Sequence, residues 1–446
     1  VAHPLRLSWE RGNHDDGRGS RQEGNVRSRT HSQDWRMVRL MGGTVQQVDI
    51  LGRNADWHRR LDLGRLARLR EKLLEYDCAA GLFYDPINIR YATGTKNMQV
   101  YSLHNPCRYA FVAVEGPVIL FEFSGCEFMA DGRTAVDEVR IAQAWYHFAA
   151  GPRLMEFAQS WCAEIVDLVK TYGSGNRRLA IDKMDPVGTH LLEAAKIEIV
   201  DGFEVAHMAR LVKTPEEIDA VRQSIDVCQE GVRRMIAATK PGMTENAIWA
   251  ILHQTNIELG GEWIETRLLN SGPRTNPWYQ EASERIVQEG DIICVDTDLI
   301  GPHGYGADLS RSWTVGNKKP NGEQRRLYNL AHEQVLRNWQ LFTPGRSFFE
   351  LADLAYRMPE KYKAFEQPAI AHGSGLCNEF PLLIHSDKIR AKGHDGIVES
   401  GMIICVESYA GAPGDVEGVK LEQQILVTED GPELLSDMGF EEELLA

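Results

Sequence analysis

From about residue 60 the chain alternates between the two periods of hydrophobic spacing that mark helices and strands. Leu61 to Tyr76 repeats leucine at helical spacing, and Ala80-Gly81-Leu82-Phe83-Tyr84 reads as a buried strand closed by Asp85-Pro86. Tyr109 to Val114 and Val118 to Phe123 are β-rich runs around Glu115-Gly116-Pro117, the pattern of a hairpin. Helical spacing over Met155 to Lys170 and Thr189 to Ala195 flanks a strand at Leu179 to Asp182. This mixture predicts an α/β N-terminal domain over 46–212, without a nucleotide-binding glycine loop. In Lys213-Thr214-Pro215-Glu216-Glu217-Ile218, Thr214 can cap a helix, Pro215 suits its first position and Glu217 can close a capping box. A second domain over 213–446 is expected to begin there, with another helix starting at Thr244. Strands follow at Arg285 to Val287, Ile292 to Leu299, Gly306 to Val315, Met402 to Tyr409 and Val419 to Thr428. A helical block from Glu323 to Lys363 divides them, and the expected class is α+β.

Length and composition narrow this picture. A chain of 446 residues exceeds one hydrophobic core, which favours two domains. No apolar run reaches the length of a bilayer span, and a net charge of -15 repels the phosphates of a nucleic acid. The eight cysteines are scattered, none forms a C-x-x-C pair, and several stand in apolar runs, so reduced core thiols and a cytoplasmic location are expected. Residues 1–45 differ in kind. They carry eight arginines with much Gly, Ser and Asn and no apolar periodicity, and read as a disordered or non-native arm.

The chemistry concentrates in the second domain. Asp296 and Asp298 are two apart in an apolar run, so on one continuous strand they would share a face. Paired carboxylates in such a setting are costly unless a cation or proton neutralises them. After the turn Gly301-Pro302-His303-Gly304, Asp308 is expected on the partner strand. Glu407 ends the apolar run Ile403-Ile404-Cys405-Val406, and Glu422 follows Val419-Lys420-Leu421, close enough for the two segments to pair. His372 lies in Ala371-His372-Gly373-Ser374-Gly375, whose glycines permit close backbone approach. Five acids and one imidazole suit two divalent ions drawn from Fe, Mn, Zn or Co. Such a pair would activate water and polarise a substrate oxygen.

These motifs resemble the pita-bread superfamily of methionine aminopeptidase, aminopeptidase P, prolidase and creatinase. The resemblance rests on Asp308-Leu309-Ser310-Arg311-Ser312, His372-Gly373-x-Gly375-Leu376, Gly401-Met402-x-x-x-Val406-Glu407 and Leu421-Glu422-x-x-x-Leu426-Val427-Thr428. It implies a pita-bread catalytic domain behind a smaller creatinase-like domain, metal binding at the matching residues, and a homodimer. The peptidases' first aspartate would fall at Thr297, flanked here by Asp296 and Asp298, and two of their histidines are absent. Asp296-Thr297-Asp298, Gly261-Glu262-Trp263-Ile264-Glu265-Thr266-Arg267 and Ser271-Gly272-Pro273-Arg274-Thr275-Asn276-Pro277-Trp278 are similar to the dimethylsulfoniopropionate lyases of the DddP type. In that branch an aspartate six residues after the ligand histidine takes the proton. Here that position is Asn378, which cannot act as a base, and an aromatic residue is replaced by Gln367.

The first expectation is therefore a metal-dependent hydrolase for a small zwitterionic or amide-containing substrate. Dimethylsulfoniopropionate lyase is the alternative, and a non-catalytic binding protein on the same scaffold is the second. Glu379, with Asn378, is the candidate for the catalytic position. Arg274 is read as a carboxylate anchor, and Trp263, Trp278 and Tyr279 as faces for an onium group.

Overall fold

A computed structural model describes residues 54–445; the expected arm at 1–45 lies outside the described residues. The chain opens with α1 (Ala55–Glu75), capped by the Asn54 side chain at the Trp57 N–H. The elements β1 (Ala80–Phe83), α2 (Pro86–Thr93), α3 (Gln99–His104), β2 (Tyr109–Ala113), β3 (Val118–Glu122) and β4 (Glu138–Ile141) follow. Next come α4 (His147–Ala150), α5 (Leu154–Tyr172), β5 (Arg178–Ile181), α6 (Pro186–Ala194), β6 (Glu198–Asp201) and α7 (Gly202–Arg210). The six strands form one mixed sheet in the order β4-β3-β2-β1-β5-β6. Residues of β1 and β2 are buried throughout, as expected of central strands covered on both faces. The expected hairpin is β2 against β3, antiparallel from Tyr109↔Phe121 to Val112↔Val118.

The long helix α8 (Pro215–Ala238) carries the capping box read from the sequence, Thr214 and Glu217 each bonding the other's backbone. After α9 (Glu245–Glu258), two three-stranded sheets are built from β7 (Trp263–Ile264), β8 (Leu269–Ser271), β9 (Ile292–Asp296), β10 (Leu299–Ile300), β11 (Gly306–Ala307) and β12 (Ser310–Thr314). Their orders are β11-β10-β7 and β12-β9-β8. Helices α10 (Gly322–Trp339) and α11 (Phe348–Leu354) replace the single helical block expected from Glu323 to Lys363. A five-stranded sheet then runs β14 (Asn378–Ile384), β13 (Ala369–Ser374), β15 (Ile403–Ala410), β16 (Val419–Thr428) and β17 (Gly431–Leu434) in spatial order. The class is mixed α and β, as expected.

Two expected strands are not continuous. The run Ile292 to Leu299 breaks at Thr297-Asp298, and Gly306 to Val315 breaks at Asp308-Leu309. Thr297 causes both breaks: its buried hydroxyl donates to the Ala307 carbonyl at 3.1 Å and accepts from the Leu309 N–H at 2.9 Å. A side chain thus takes the place of ladder bonds. Arg285 to Val287 also fails as a strand and leaves only an isolated bridge, Thr244↔Ile286.

Candidate metal centre

The strands deliver six side chains to one spot. Asp296 ends β9, Asp298 follows in the break, and Asp308 precedes β12, while His372, Glu407 and Glu422 stand inside β13, β15 and β16. Alternation along one strand does not bring Asp296 and Asp298 together, because Asp298 has left the strand with a φ of 36°. That positive φ is strained for a residue with a side chain. It is held by hydrogen bonds from Thr266 Oγ1 at 2.6 Å and Asn378 Nδ2 at 3.4 Å to the Asp298 carboxylate. Glu407 and Glu422 are direct partners across β15 and β16. Like charges placed opposite each other destabilise a sheet unless something positive joins them. Gly373 brings β14 close behind His372: a Cβ on it would lie 2.3 Å from the Phe380 carbonyl oxygen.

His372 shows which atoms face the centre. Its Nδ1 lies 3.0 Å from the Gly373 carbonyl oxygen, which places a hydrogen on Nδ1 and turns Nε2 inward. Nε2 stands 3.6 Å from Asp308 Oδ2, 3.5 Å from Glu407 Oε1 and 3.6 Å from Glu422 Oε1. Good hydrogen bonds are shorter. Donors bound at about 2.1 Å to one ion stand roughly 3.0–3.6 Å apart, the spacing found here. Glu422 Oε1 is buried and has no hydrogen-bond partner. Asp296, Asp298 and Asp308 form a second group, one oxygen from each lying within 4.8 Å of the others. The donor set and the orphaned oxygen fit divalent cations at both groups.

One cation of the chain itself was missed in the sequence. The ammonium of Lys420, fully buried, lies 2.8 Å from Glu422 Oε2, 3.1 Å from Glu407 Oε2 and 3.2 Å from Asp296 Oδ2. It also donates to Ser310 Oγ at 2.9 Å. Lys420 thus takes one oxygen of each of three carboxylates; Glu407 Oε1 and Glu422 Oε1 are left facing His372, while Asp296 Oδ1 accepts from Ser310 Oγ at 2.7 Å. Burial and repulsion from Glu422 and Asp298 push Asp296 well up, and burial with Asp298 and Glu422 does the same to Asp308. Lys420 tempers the effect at Asp296 and goes well up itself, because Asp296, Glu422 and Glu407 outweigh its burial. The cluster is short of positive charge. Cys405 also borders the centre, but burial keeps its thiol protonated.

Residues 219–429 match the model of metallopeptidase family M24. Among curated proteins, the chain is 38% identical over 386 residues to the dimethylsulfoniopropionate lyase DddP of Roseovarius nubinhibens, covering 85% of this chain and 86% of the relative. It is 39% identical to the DddP of Roseobacter denitrificans, covering 88% and 91%. The chain belongs to family M24. Its fold matches the Xaa-Pro dipeptidase of Bacillus anthracis with a TM-score of 0.68 at 20% identity, over 85% of this chain and 99% of that one. The prolidase of Pyrococcus horikoshii matches with a TM-score of 0.66 at 21% identity, over 84% and 99%.

Around this M24 centre the other expected residues are placed unevenly. Glu379 is unsuited to act as a base: it accepts from Arg210 at 2.9 Å, Lys213 at 2.7 Å and the Leu376 N–H at 3.0 Å. Lys213 and Arg210 outweigh its burial and hold it below the usual carboxylate range. Asn378 donates to Asp298. Arg274 is engaged by buried Glu245, Ser283 Oγ and the Glu281 carbonyl, so no fork remains for a substrate carboxylate. Trp278 is 6% exposed and stacks on Tyr409 with centroids 6.2 Å apart, which is core packing. Tyr279 does reach the centre, with its phenol against Gln367 and near Glu407, and crowding with that charge pushes it up to about 12.

Glu265 stands within the lyase-like motif but was given no role from the sequence, since the short apolar pair Trp263-Ile264 before it makes no apolar run. It lines a pocket with Trp263 and Asn378, and its N–H bonds the Asp298 carbonyl at 3.0 Å. The residue keeps an exposed edge, yet crowding by the pocket walls and repulsion from Asp298 push its carboxyl up to about 7, against a hydrogen bond from Trp263. A cation on Asp298 removes the second cause and leaves the first.

Proposed function

We propose that this chain is a two-metal lyase that eliminates a neutral leaving group from a small onium carboxylate, of which dimethylsulfoniopropionate is the reference substrate. The reading is carried by Glu265, which stands on the pocket wall beside Asn378 and thus supplies a carboxylate where the amide cannot take a proton. The likeness to two DddP lyases over most of the chain supports it. The ligands are Asp296, Asp298, Asp308, His372, Glu407 and Glu422. Their five carboxylates and the Lys420 ammonium leave four negative charges, which two divalent cations cancel. Bound there, such ions would hold the substrate carboxylate and acidify the neighbouring C–H.

The chain's own part follows. Trp263 orients Glu265 through its indole N–H, and Asn378 with Thr266 fixes Asp298. A Glu265 Oε accepts the proton from the carbon next to the carboxylate. That electron pair forms the C=C bond as the C–S bond breaks, the sulfide leaves with the sulfur pair, and Glu265 returns its proton to water. Incubation with dimethylsulfoniopropionate should yield dimethyl sulfide in the headspace and acrylate in equal amounts. No acrylate at micromolar enzyme with added Fe, Mn, Zn or Co would sink the elimination. Hydrolysis is the second reading, favoured by a 27% identical Xaa-Pro dipeptidase of Pyrococcus furiosus that matches 51% of this chain. It predicts proline release from Xaa-Pro dipeptides in the same reaction mixture.

A further inference from the structure

The pocket that Glu265 lines has a volume of about 330 Å³, near the lower end of the ~300–1,000 Å³ typical of ligand sites. Its inner wall holds Trp263, Glu265 and Asn378, and its outer wall is made by α2, α3 and α7. Apolar side chains such as Ile87, Val100 and Leu103 dominate that outer wall. Its charged groups are already engaged. Asp85 pairs with Lys183 at 2.7 Å, and Arg210 with Glu379 at 2.9 Å and with Asn88.

Two neutral polar groups remain. Gln99 lines the cavity and is only 9% exposed, yet neither its amide nitrogen nor its oxygen has a hydrogen-bond partner. His207 also lines it. Its Nδ1 accepts from the Phe380 N–H at 3.3 Å, so the hydrogen sits on Nε2, which is buried without a partner. Burial and the Arg210 charge lower His207 to about 4, which keeps the ring neutral. Buried polar groups left unpaired are costly, and a ligand in the cavity they line would relieve both. Neither carries charge, so neither would neutralise a carboxylate or an ammonium taken out of water. Together they offer three N–H donors and a carbonyl acceptor, which suits a hydroxyl or a carboxamide.

We propose that this cavity binds the leaving-group arm of the substrate, and that the arm is a short alkyl chain ending in a neutral hydroxyl or carboxamide held by Gln99 and His207. The arm's status as a leaving group rests on the elimination reading; its binding does not. Ligand-observed NMR titration of the full metal-loaded chain tests this with two probes, 2-(methylthio)ethanol and its hydroxyl-free counterpart 1-(methylthio)propane. The hydroxyl probe should bind about threefold to tenfold tighter, the range of one net hydrogen bond. Gln99→Leu and Gln99→Met, each combined with His207→Phe and checked for an unchanged fold by circular dichroism, should abolish that preference. Equal affinities in the wild type, no binding of either probe, or a preference that survives in both folded variants would overturn the proposal. Should acrylate production fail while the preference holds, the binding site stands and the leaving-group role falls.

Discussion

In the proposed mechanism the chemistry of this centre depends most on Lys420 and Glu265, and each makes a separate prediction. Lys420 is buried against three carboxylates, and removing one partner of such a cluster costs about 3–5 kcal/mol. Lys420→Met in the presence of a chelator should therefore melt well below the wild type, and added Mn should restore it by a larger increment. Equal melting temperatures in chelator would contradict that role. Glu265→Gln keeps the shape of the pocket and removes the proton acceptor, so kcat should fall by about 10²–10⁴-fold with metal content unchanged. A variant of normal activity would remove Glu265 from the mechanism. The clustered acids themselves were legible because acids in apolar runs are conspicuous. Lys420 was passed over although it stands two residues from Glu422, on the same face of the strand, because lysine is seldom fully buried. Arg274 misled for the opposite reason: its partner Glu245 lies 29 residues away, and only the tertiary fold brings them together.

At the level of elements, periodicity located most helices and strands, and capping chemistry fixed the start of α8. It failed where a side chain overrode the ladder, at the break made by Thr297. The elements around the pocket are tied across the chain by buried ion pairs. Arg90 on α2 grips Glu262 with bonds of 2.8 and 2.7 Å, just before β7, and Arg210 on α7 with Lys213 grips Glu379 on β14. These ties make stability depend on pH in a defined direction. Arg90, outweighing burial, lowers Glu262 as Lys213 and Arg210 lower Glu379, so the unfolded chain takes up protons first as pH falls. The stabilisation is complete above the ordinary glutamate value of about 4.5 and is lost as pH drops through the lowered native values. Thermal melts from pH 7 to 3.5 should show that loss. Glu379→Gln should be less stable by about 3–5 kcal/mol at pH 7 and show a flatter slope below pH 4.5. Parallel slopes for both proteins would contradict the assignment.

For the molecule as a whole, helices α2, α3 and α7 meet strands β7 and β14 at the cavity, and the cavity is tied to the candidate metal centre by Asn378 and Glu265, which both bond Asp298. Among the described residues no helix is long and apolar enough to cross a membrane. Family membership and the six acid and imidazole positions were readable from motifs, while the partition of the surrounding residues into binding, positioning and packing required the fold. Metal content tests the central claim most directly. Elemental analysis of the full chain after saturation and desalting should give two divalent ions per chain, and Asp308→Asn, which alters a residue shared by both donor groups, should retain less than one. A wild-type chain holding none, or an Asp308→Asn chain still holding two, would contradict the account.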